Sequence, residues 1–187
     1  MKRAFLIHGW TGKASEGFRP WLKKELEKKG FQVYMPEMPN TDNPLEKEWV
    51  EKLVEVIGKP DEETFLVGHS LGVVAILRYL ESLSEKAQVG GCVFVAGFAE
   101  NVGIQEISSF FTNPVEWNKI KKHCKKFIAI YSDDDYYVPT SSAKMFKENL
   151  GAELILKKKH KHFSYKTGCF ELPIALESVL ELSKTTV

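Results

Sequence analysis

Short apolar segments alternate with amphipathic segments along this chain. The apolar segments are four to six residues long, and the amphipathic ones repeat their apolar side chains at helical spacing. In residues 18–29, for example, Phe18, Leu22 and Leu26 fall on one side and charged side chains on the other. The pattern predicts strands over residues 4–8, 31–35, 64–69, 92–96, 127–131 and 153–156, and helices over 18–29, 45–57, 71–83, 114–124, 139–149 and 171–182.

This alternation of strands and helices favours βαβ units, in which the strands are parallel and helices cover both faces of the sheet. We therefore expect a three-layer α/β/α sandwich with a six-stranded parallel sheet, formed by residues 1–187 as a single domain. Residues 97–125, between the fourth and fifth strands, are too few for a large cap domain. In such sheets, active sites gather beyond the carboxyl ends of the strands.

Composition and charge narrow the classes of function. The 187 residues are 43% hydrophobic and 27% charged, with a formal net charge of +1, so no overall charge attracts nucleic acid or a membrane surface. The apolar run before Gly9 is too short for a signal peptide or a membrane span. Three widely spaced cysteines (Cys92, Cys124 and Cys169) form neither a zinc motif nor a disulfide framework, and they favour a cytoplasmic location.

The strongest candidate for chemistry is the sequence Gly68-His69-Ser70-Leu71-Gly72. It has the Gly-x-Ser-x-Gly form and lies between a predicted strand and a predicted helix, which is the context of a nucleophile elbow. There the serine hydroxyl is exposed above the sheet, and the two glycines allow strand and helix to cross closely. We therefore predict that Ser70 is a catalytic nucleophile, and that His69 packs beside the elbow.

A serine nucleophile needs a base and a carboxylate that orients this base, and in the hydrolase fold they follow the serine in the order acid, then histidine. The fifth strand is followed by Asp133-Asp134-Asp135, and we favour Asp135 because an apolar residue and a proline follow at helix-starting distance, with Asp134 as the alternative. The sixth strand is followed by His160 and His162. We favour His162, because Phe163 can anchor its loop.

The oxyanion of an acyl-transfer intermediate needs two backbone N–H groups. We predict those of Leu71, at the start of a helix, and Trp10, in the loop after the first strand, where Gly9 allows a close approach. Aromatic side chains near the same edge could form an apolar wall for the substrate. The predicted substrate-binding residues are Gly9, Trp10, Phe98, Phe111 and Tyr136, with Phe110 and Trp117 as further members of the wall.

Together these motifs resemble the α/β-hydrolase superfamily. Several segments are similar to the retinoblastoma-binding protein 9 and YdeN group of small serine hydrolases. They are Trp21 to Glu27, Met35-Pro36, Phe111 to Pro114, Trp117 to Lys121, Ser132 to Pro139 and His162-Phe163. The resemblance implies a minimal, cap-less fold with Ser70, Asp135 and His162 as the triad. Two departures stand out: Lys161 replaces the glycine of many relatives, and Thr167 breaks the Leu-x-Cys-x-Glu pattern for binding retinoblastoma protein, a partner we therefore do not expect.

We expect a serine hydrolase that acts on small carboxylic esters through an acyl-serine, without a cofactor or metal. An amide or peptide hydrolase with the same triad is an alternative, and a catalytically weak protein-interaction module on the same scaffold is another. A metal hydrolase that uses Asp133–Asp135 with His160 and His162 would leave the elbow without a role. The expected partner is a small acyl substrate, and the sequence does not specify the oligomeric state.

Overall fold

The computed structural model describes residues 1–184, and this part of the chain contains six strands and six α-helices. The strands are β1 (Arg3–Ile7), β2 (Gln32–Tyr34), β3 (Thr64–His69), β4 (Gly91–Val95), β5 (Phe127–Ser132) and β6 (Glu153–Lys157). The helices are α1 (Arg19–Lys28), α2 (Glu46–Ile57), α3 (Leu71–Ser82), α4 (Trp117–His123), α5 (Ser141–Leu150) and α6 (Pro173–Lys184). Every predicted element is present, with ends shifted by a few residues.

The six strands form one parallel sheet in the order β2-β1-β3-β4-β5-β6. Helices α1 and α6 pack on one face, and α2, α3, α4 and α5 on the other. The predicted three-layer sandwich is therefore confirmed. None of the helices within residues 1–184 has the length and apolarity needed to cross a membrane.

Alternating side chains of the central strands supply both cores. In β3, Phe65 and Val67 pack in the core beneath α1 and α6, whereas Leu66 packs in the core beneath α2 to α5. Both faces of such a strand are buried, which explains its nearly continuous apolar sequence. The edge strand β6 differs, because Leu154 and Leu156 are exposed there.

The order of the strands locates the site. After β1 the chain crosses to β2 at one edge, whereas after β3 it continues to β4 in the opposite direction. Ligands of open parallel sheets bind at such a reversal, beyond the carboxyl ends of the strands. Here the loop after β1 and the turn after β3 meet at that position, because these two strands are neighbours in the sheet.

Residues 97–125 form a short cover rather than a cap domain, with a 3-10 turn (Ser108–Phe111) and α4. A buried guanidinium on α3 holds this segment in place. Arg78 donates hydrogen bonds to the carbonyl oxygens of Phe110 (2.8 Å) and Asn113 (2.6 Å) and forms an ion pair with Glu81 (2.9 Å). Because these bonds satisfy buried polar groups, they fix the segment against α3.

Candidate active site

Ser70 lies on a strained turn between β3 and α3. Its φ is +55° and its ψ is −123°, a backbone conformation that residues other than glycine rarely adopt. Close packing holds it there: a Cβ at Gly72 would lie 2.5 Å from the carbonyl oxygen of Ile7, and one at Gly68 would lie 2.8 Å from the Cα of Val73. Both glycines are therefore required by the approach of the backbones, as the elbow interpretation predicts.

A chain of hydrogen bonds connects Ser70 to His162 and Asp135. Nε2 of His162 lies 3.0 Å from Oγ of Ser70, and Nδ1 of His162 lies 2.8 Å from Oδ2 of Asp135. The Asp135 side chain is 1% exposed, and its other oxygen accepts hydrogen bonds from the N–H groups of Tyr137 (2.9 Å) and Val138 (3.1 Å). The structure thus brings together the three predicted residues, which are 92 and 27 positions apart in sequence.

The neighbouring aspartates hold the backbone of the histidine loop. Oδ1 of Asp134 accepts hydrogen bonds from the N–H of Lys161 and the hydroxyl of Ser132, both at 2.7 Å. These two bonds, the Ser132 bond first, lower the pKa of Asp134. Oδ1 of Asp133 accepts a hydrogen bond from the N–H of Lys159 (2.8 Å). Each carboxylate of the run therefore has a different partner, and the one that contacts His162 belongs to Asp135.

His160 lies apart from this chain of hydrogen bonds. Its ring stacks on Phe163 at 5.5 Å, and its N–H donates to Oγ of Ser132 (2.9 Å). Phe163 itself is fully buried, as expected of an anchor for the loop. Within residues 1–184, no group of three or more His, Cys, Asp or Glu side chains is placed to hold a metal ion.

His69 links the elbow to the histidine loop. Its Nε2 lies 2.8 Å from the carbonyl oxygen of His162. Because a carbonyl oxygen only accepts, Nε2 carries the ring hydrogen and donates a hydrogen bond. Burial, and next the proximity of His162, lower the pKa of His69 well below its usual value. A neutral His69 therefore positions the backbone of His162, a contact that the sequence motif does not disclose.

The loop after β1 faces the elbow. The Gly9 carbonyl oxygen is 2.8 Å from Nδ1 of His8, whose Nε2 accepts a hydrogen bond from the N–H of Met38 (3.0 Å). His8 is therefore the Nδ1–H tautomer and donates to Gly9. In a trans peptide the carbonyl and the next N–H point in opposite directions, so this bond sets the direction of the Trp10 N–H.

In the part of the chain that the structure describes, the two backbone N–H groups predicted to bind the oxyanion are free to donate to a ligand oxygen. Among the hydrogen bonds formed within residues 1–184, none uses the N–H of Trp10 or that of Leu71. The Leu71 N–H belongs to the first residue of α3, where the helix dipole favours negative charge. A Cβ at Gly9 would lie 3.0 Å from Cβ of Ser70, so this glycine permits the close approach of the loop.

A cavity of about 280 Å³ opens beside Ser70 and His162. Four of the predicted substrate-binding residues line it: Gly9, Trp10, Phe98 and Tyr136. Phe111 does not line it but stacks on Phe98 at 5.9 Å. Phe110 packs on Trp49 in the core, and Trp117, which is half-buried, packs on Phe146.

Sequence reasoning missed much of the cavity lining. Val102, Ile104 and Ile107 contribute apolar surface from the segment after β4. Glu16, Arg19 and Lys166 contribute charge from the loop before α1, from α1 itself and from the 3-10 turn Tyr165–Thr167. These residues carry no motif, because their chemistry depends on which loops meet at the carboxyl edge of the sheet.

A serine elbow at the carboxyl edge of a parallel sheet defines an α/β hydrolase. The family model described as serine hydrolase matches residues 4–181, so the chain belongs to this family. It is 34% identical to the hydrolase YdeN of Bacillus subtilis (strain 168), an alignment that covers 94% of this chain and 93% of that protein. It is 31% identical to the serine hydrolase RBBP9 of Rattus norvegicus, covering 92% and 87% of the two chains.

Solved structures agree with these similarities. The crystal structure of the ydeN gene product from B. subtilis matches with a TM-score of 0.94 at 33% identity, covering 99% of this chain and 100% of that one. The ferulic acid complex of Est1E from Butyrivibrio proteoclasticus matches with a TM-score of 0.72 at 14% identity, covering 96% and 90%. At that identity, the second likeness concerns the fold alone.

Proposed function

We propose that this protein hydrolyses small carboxylic esters, with Ser70 as the nucleophile, His162 as the general base and Asp135 as the residue that orients it. The observation that carries the proposal is the unbroken hydrogen-bond chain from Oγ of Ser70 through both ring nitrogens of His162 to a buried carboxylate, with distances of 3.0 and 2.8 Å. A serine hydroxyl becomes a competent nucleophile when a correctly oriented imidazole takes its proton.

In the first half-reaction, Oγ of Ser70 attacks the ester carbonyl carbon while Nε2 of His162 takes the hydroxyl proton. The N–H groups of Trp10 and Leu71 donate to the oxyanion of the tetrahedral intermediate. The carbon–oxygen bond to the leaving alcohol then breaks, and His162 returns the proton to that alcohol. In the second half-reaction, water attacks the acyl-serine with His162 as its base, and the carboxylic acid and free Ser70 are released.

The size and setting of the cavity favour small esters. Its volume of about 280 Å³ accommodates a short acyl or alcohol group, and its apolar lining suits hydrocarbon. An ester also needs less assistance from the site than an amide, because an alkoxide leaves more readily than an amide anion and the nitrogen of an amide must be protonated before it can leave. All three cysteines are unpaired, which accords with the cytoplasmic location that we propose.

Labelling with a fluorophosphonate probe tests the nucleophile. We expect the wild-type protein to be labelled and Ser70→Ala to be silent, whereas Ser141→Ala, which removes an exposed serine hydroxyl at the start of α5, should be labelled like the wild type. Equal labelling of Ser70→Ala would contradict the proposal. A silent wild-type protein would instead favour an interaction module on a hydrolase scaffold.

A substrate panel tests the chemical class. We expect hydrolysis of short-chain 4-nitrophenyl esters, with rates that fall as the acyl chain outgrows the cavity. A matched set of aminoacyl amides forms the comparison. Faster turnover of the amides than of the esters would replace the ester proposal with an amide or peptide hydrolase that uses the same residues.

A further inference from the structure

Arg19 is a buried cation in the wall of the active-site cavity. It is the first residue of α1 and is 5% exposed, yet it lines the same cavity as Ser70 and His162. A guanidinium has five N–H donors. Within residues 1–184 the Arg19 guanidinium donates one hydrogen bond, from Nη2 to the carbonyl oxygen of Lys13 (2.7 Å), and its Nε is buried without a partner.

No carboxylate within residues 1–184 lies close enough to Arg19 to form an ion pair. Glu16 and Glu37 attract it from longer range, but each already accepts a hydrogen bond from a backbone N–H, of Lys13 (3.0 Å) and Ala14 (3.0 Å) respectively. Burial is the main cause that lowers the pKa of Arg19, to about 10. Burying a charge without an ion-pair partner is costly. The Lys13 carbonyl and the Phe18 ring, 5.9 Å from the guanidinium carbon, contact Arg19 but do not neutralise its charge.

Several groups around Arg19 favour an anion, and Glu16, which also lines the cavity, adds a negative charge. The first turn of α1 contains no acidic side chain, and its N-terminus has no side-chain cap, so this end of the helix favours an anion. Gly17, just before the helix, and Lys166 line the cavity together with Arg19. Another part of the lining is apolar and is formed by Phe98, Val102, Ile104 and Ile107. The cavity thus offers a cationic subsite and a hydrocarbon subsite beside one serine.

We propose that Arg19 binds a carboxylate carried by the substrate, so that the ester has an anionic group in either its acyl or its alcohol part. This inference rests on the proposed hydrolytic function and specifies its substrate class. A substrate carboxylate would provide the ion-pair partner that the protein lacks, and charge-assisted hydrogen bonds to a guanidinium are strong and directional. The hydrocarbon part of the substrate would then pack on the apolar wall.

A purely structural role makes a different prediction. Arg19 could serve only to hold the carbonyl of Lys13, and its loss would then slow every substrate equally. Binding of a carboxylate predicts a selective loss instead. The test must therefore compare charged and neutral substrates of the same shape on the same variants.

The first arm measures kcat/KM for 4-nitrophenyl monoesters of adipic, pimelic and suberic acid, each beside its methyl-capped counterpart, and for 4-acetoxybenzoate beside its methyl ester. We expect the wild-type protein to prefer at least one acid over its capped partner. Arg19→Gln should reduce that preference by about 10- to 100-fold, the value of a hydrogen bond to a charged group. Arg19→Lys, which keeps the charge, should retain part of it.

Lys24→Gln is the matched control, because it removes an exposed cation from the same helix. We expect it to leave the ratio of acid to capped substrate unchanged. An equal loss on acids and capped esters in Arg19→Gln, or a ratio that does not depend on Arg19, would overturn the inference while leaving the hydrolase proposal intact.

The second arm does not depend on turnover. Monomethyl adipate is titrated calorimetrically into Ser70→Ala and into Ser70→Ala combined with Arg19→Gln. We expect binding to the first protein and at least tenfold weaker binding to the second. If the wild-type enzyme hydrolyses no ester but this difference persists, the hydrolytic function fails and the carboxylate site stands. Binding that is unchanged by the Arg19 substitution would overturn the carboxylate site.

Discussion

The turn that carries Ser70 and the loop that carries His162 are held by opposite means. Both contain residues with side chains at positive φ: Ser70 at +55° in the turn, and Lys159, Lys161 and Phe163 at +50° to +59° in the loop. In the turn, buried backbones press against two glycines. In the loop, successive backbone N–H groups of residues 159–161 donate to polar side chains at the end of β5 and just after it. Steric packing therefore fixes Ser70, and hydrogen bonding fixes the loop of His162.

This difference affects how each region is encoded. In the turn, the steric requirement applies to residues close together in the chain, so it can be recognised as the five-residue motif of residues 68–72. The hydrogen bonds join residues 26 to 28 positions apart, between Asp133, Ser132 and Asp134 on one side and Lys159, His160 and Lys161 on the other. No short sequence motif predicts these hydrogen bonds. His69 joins the two regions, because it belongs to the elbow and donates to the carbonyl of His162.

The largest expected effect is that of Gly72→Ala in the elbow. The added Cβ would lie 2.5 and 2.6 Å from two backbone carbonyl oxygens, which have little room to move. We expect a loss of about 3 kcal/mol or more in the free energy of unfolding, measured by urea denaturation, or failure to fold. Gly30→Ala is the control: its φ is +84° but nothing lies within 4 Å, so it should cost only about 1 kcal/mol. Equal costs would show that close packing does not hold the turn.

Ser132→Ala removes a central hydrogen-bonding group of the loop. Its hydroxyl donates to Asp134 and accepts from the N–H of His160. We expect kcat to fall about tenfold, because a small displacement of a catalytic imidazole is costly, and stability to fall by about 1 kcal/mol. Ser141→Ala should change neither. Unchanged activity in Ser132→Ala would mean that the loop keeps its shape without these bonds.

Two buried histidines, His69 between the two regions and His8 beside the loop after β1, predict a pH dependence of stability. Burial lowers the pKa of His8 and of His69 from 6.5 in the folded protein. Below about pH 6.5 the unfolded chain therefore binds protons that the folded protein does not, and stability falls as the pH falls. The slope is at most about 1.4 kcal/mol per pH unit for each histidine.

Urea midpoints at about pH 7.5 and about pH 5 measure this effect. His69→Gln should reduce the loss between the two values, whereas His160→Gln, at a half-buried position outside the chain of hydrogen bonds, should retain it. A loss of stability of the same size in His69→Gln would assign the effect to other groups.

The smallest expected effect is that of Lys161→Gly in the loop. Lys161 adopts φ +51°, which a glycine tolerates without strain, and its N–H would still donate to Asp134. We expect stability to rise by up to about 1 kcal/mol and activity to stay within about twofold. The nearby Lys158→Gly, at a position without positive φ, should destabilise instead. The same sign in both variants would show that strain at Lys161 is negligible.

Much of the fold could be predicted because it depends on local patterns. Buried parallel strands such as β3 are continuous apolar runs, and the elbow needs its glycines at fixed spacing. Asp135, three positions before the apolar residue, accepts the N–H groups of the following turn and contacts His162, whereas its role as the acid of the triad stays a prediction.

The rest of the site depends on long-range geometry. In the sequence, Arg19 looks like an ordinary residue at the start of a helix. Its burial in the cavity wall follows only from the packing of α1 against the sheet. Phe111 is aromatic, like the residues that line the cavity, but it stacks on Phe98 and does not line the cavity. Such positions are decided by how loops pack together, which the local sequence does not specify.

The isosteric pair Asp135→Asn and Asp134→Asn tests the central claim most directly. Asp135→Asn keeps the shape of the side chain but removes the charge that orients His162, so we predict that kcat on a 4-nitrophenyl ester falls about 10⁴-fold with the fold intact. Asp134→Asn keeps an oxygen that can accept from Lys161, and we predict a loss below about tenfold. If the two losses were equal, or if Asp134→Asn had the larger loss, the proposed triad of Ser70, His162 and Asp135 would be contradicted.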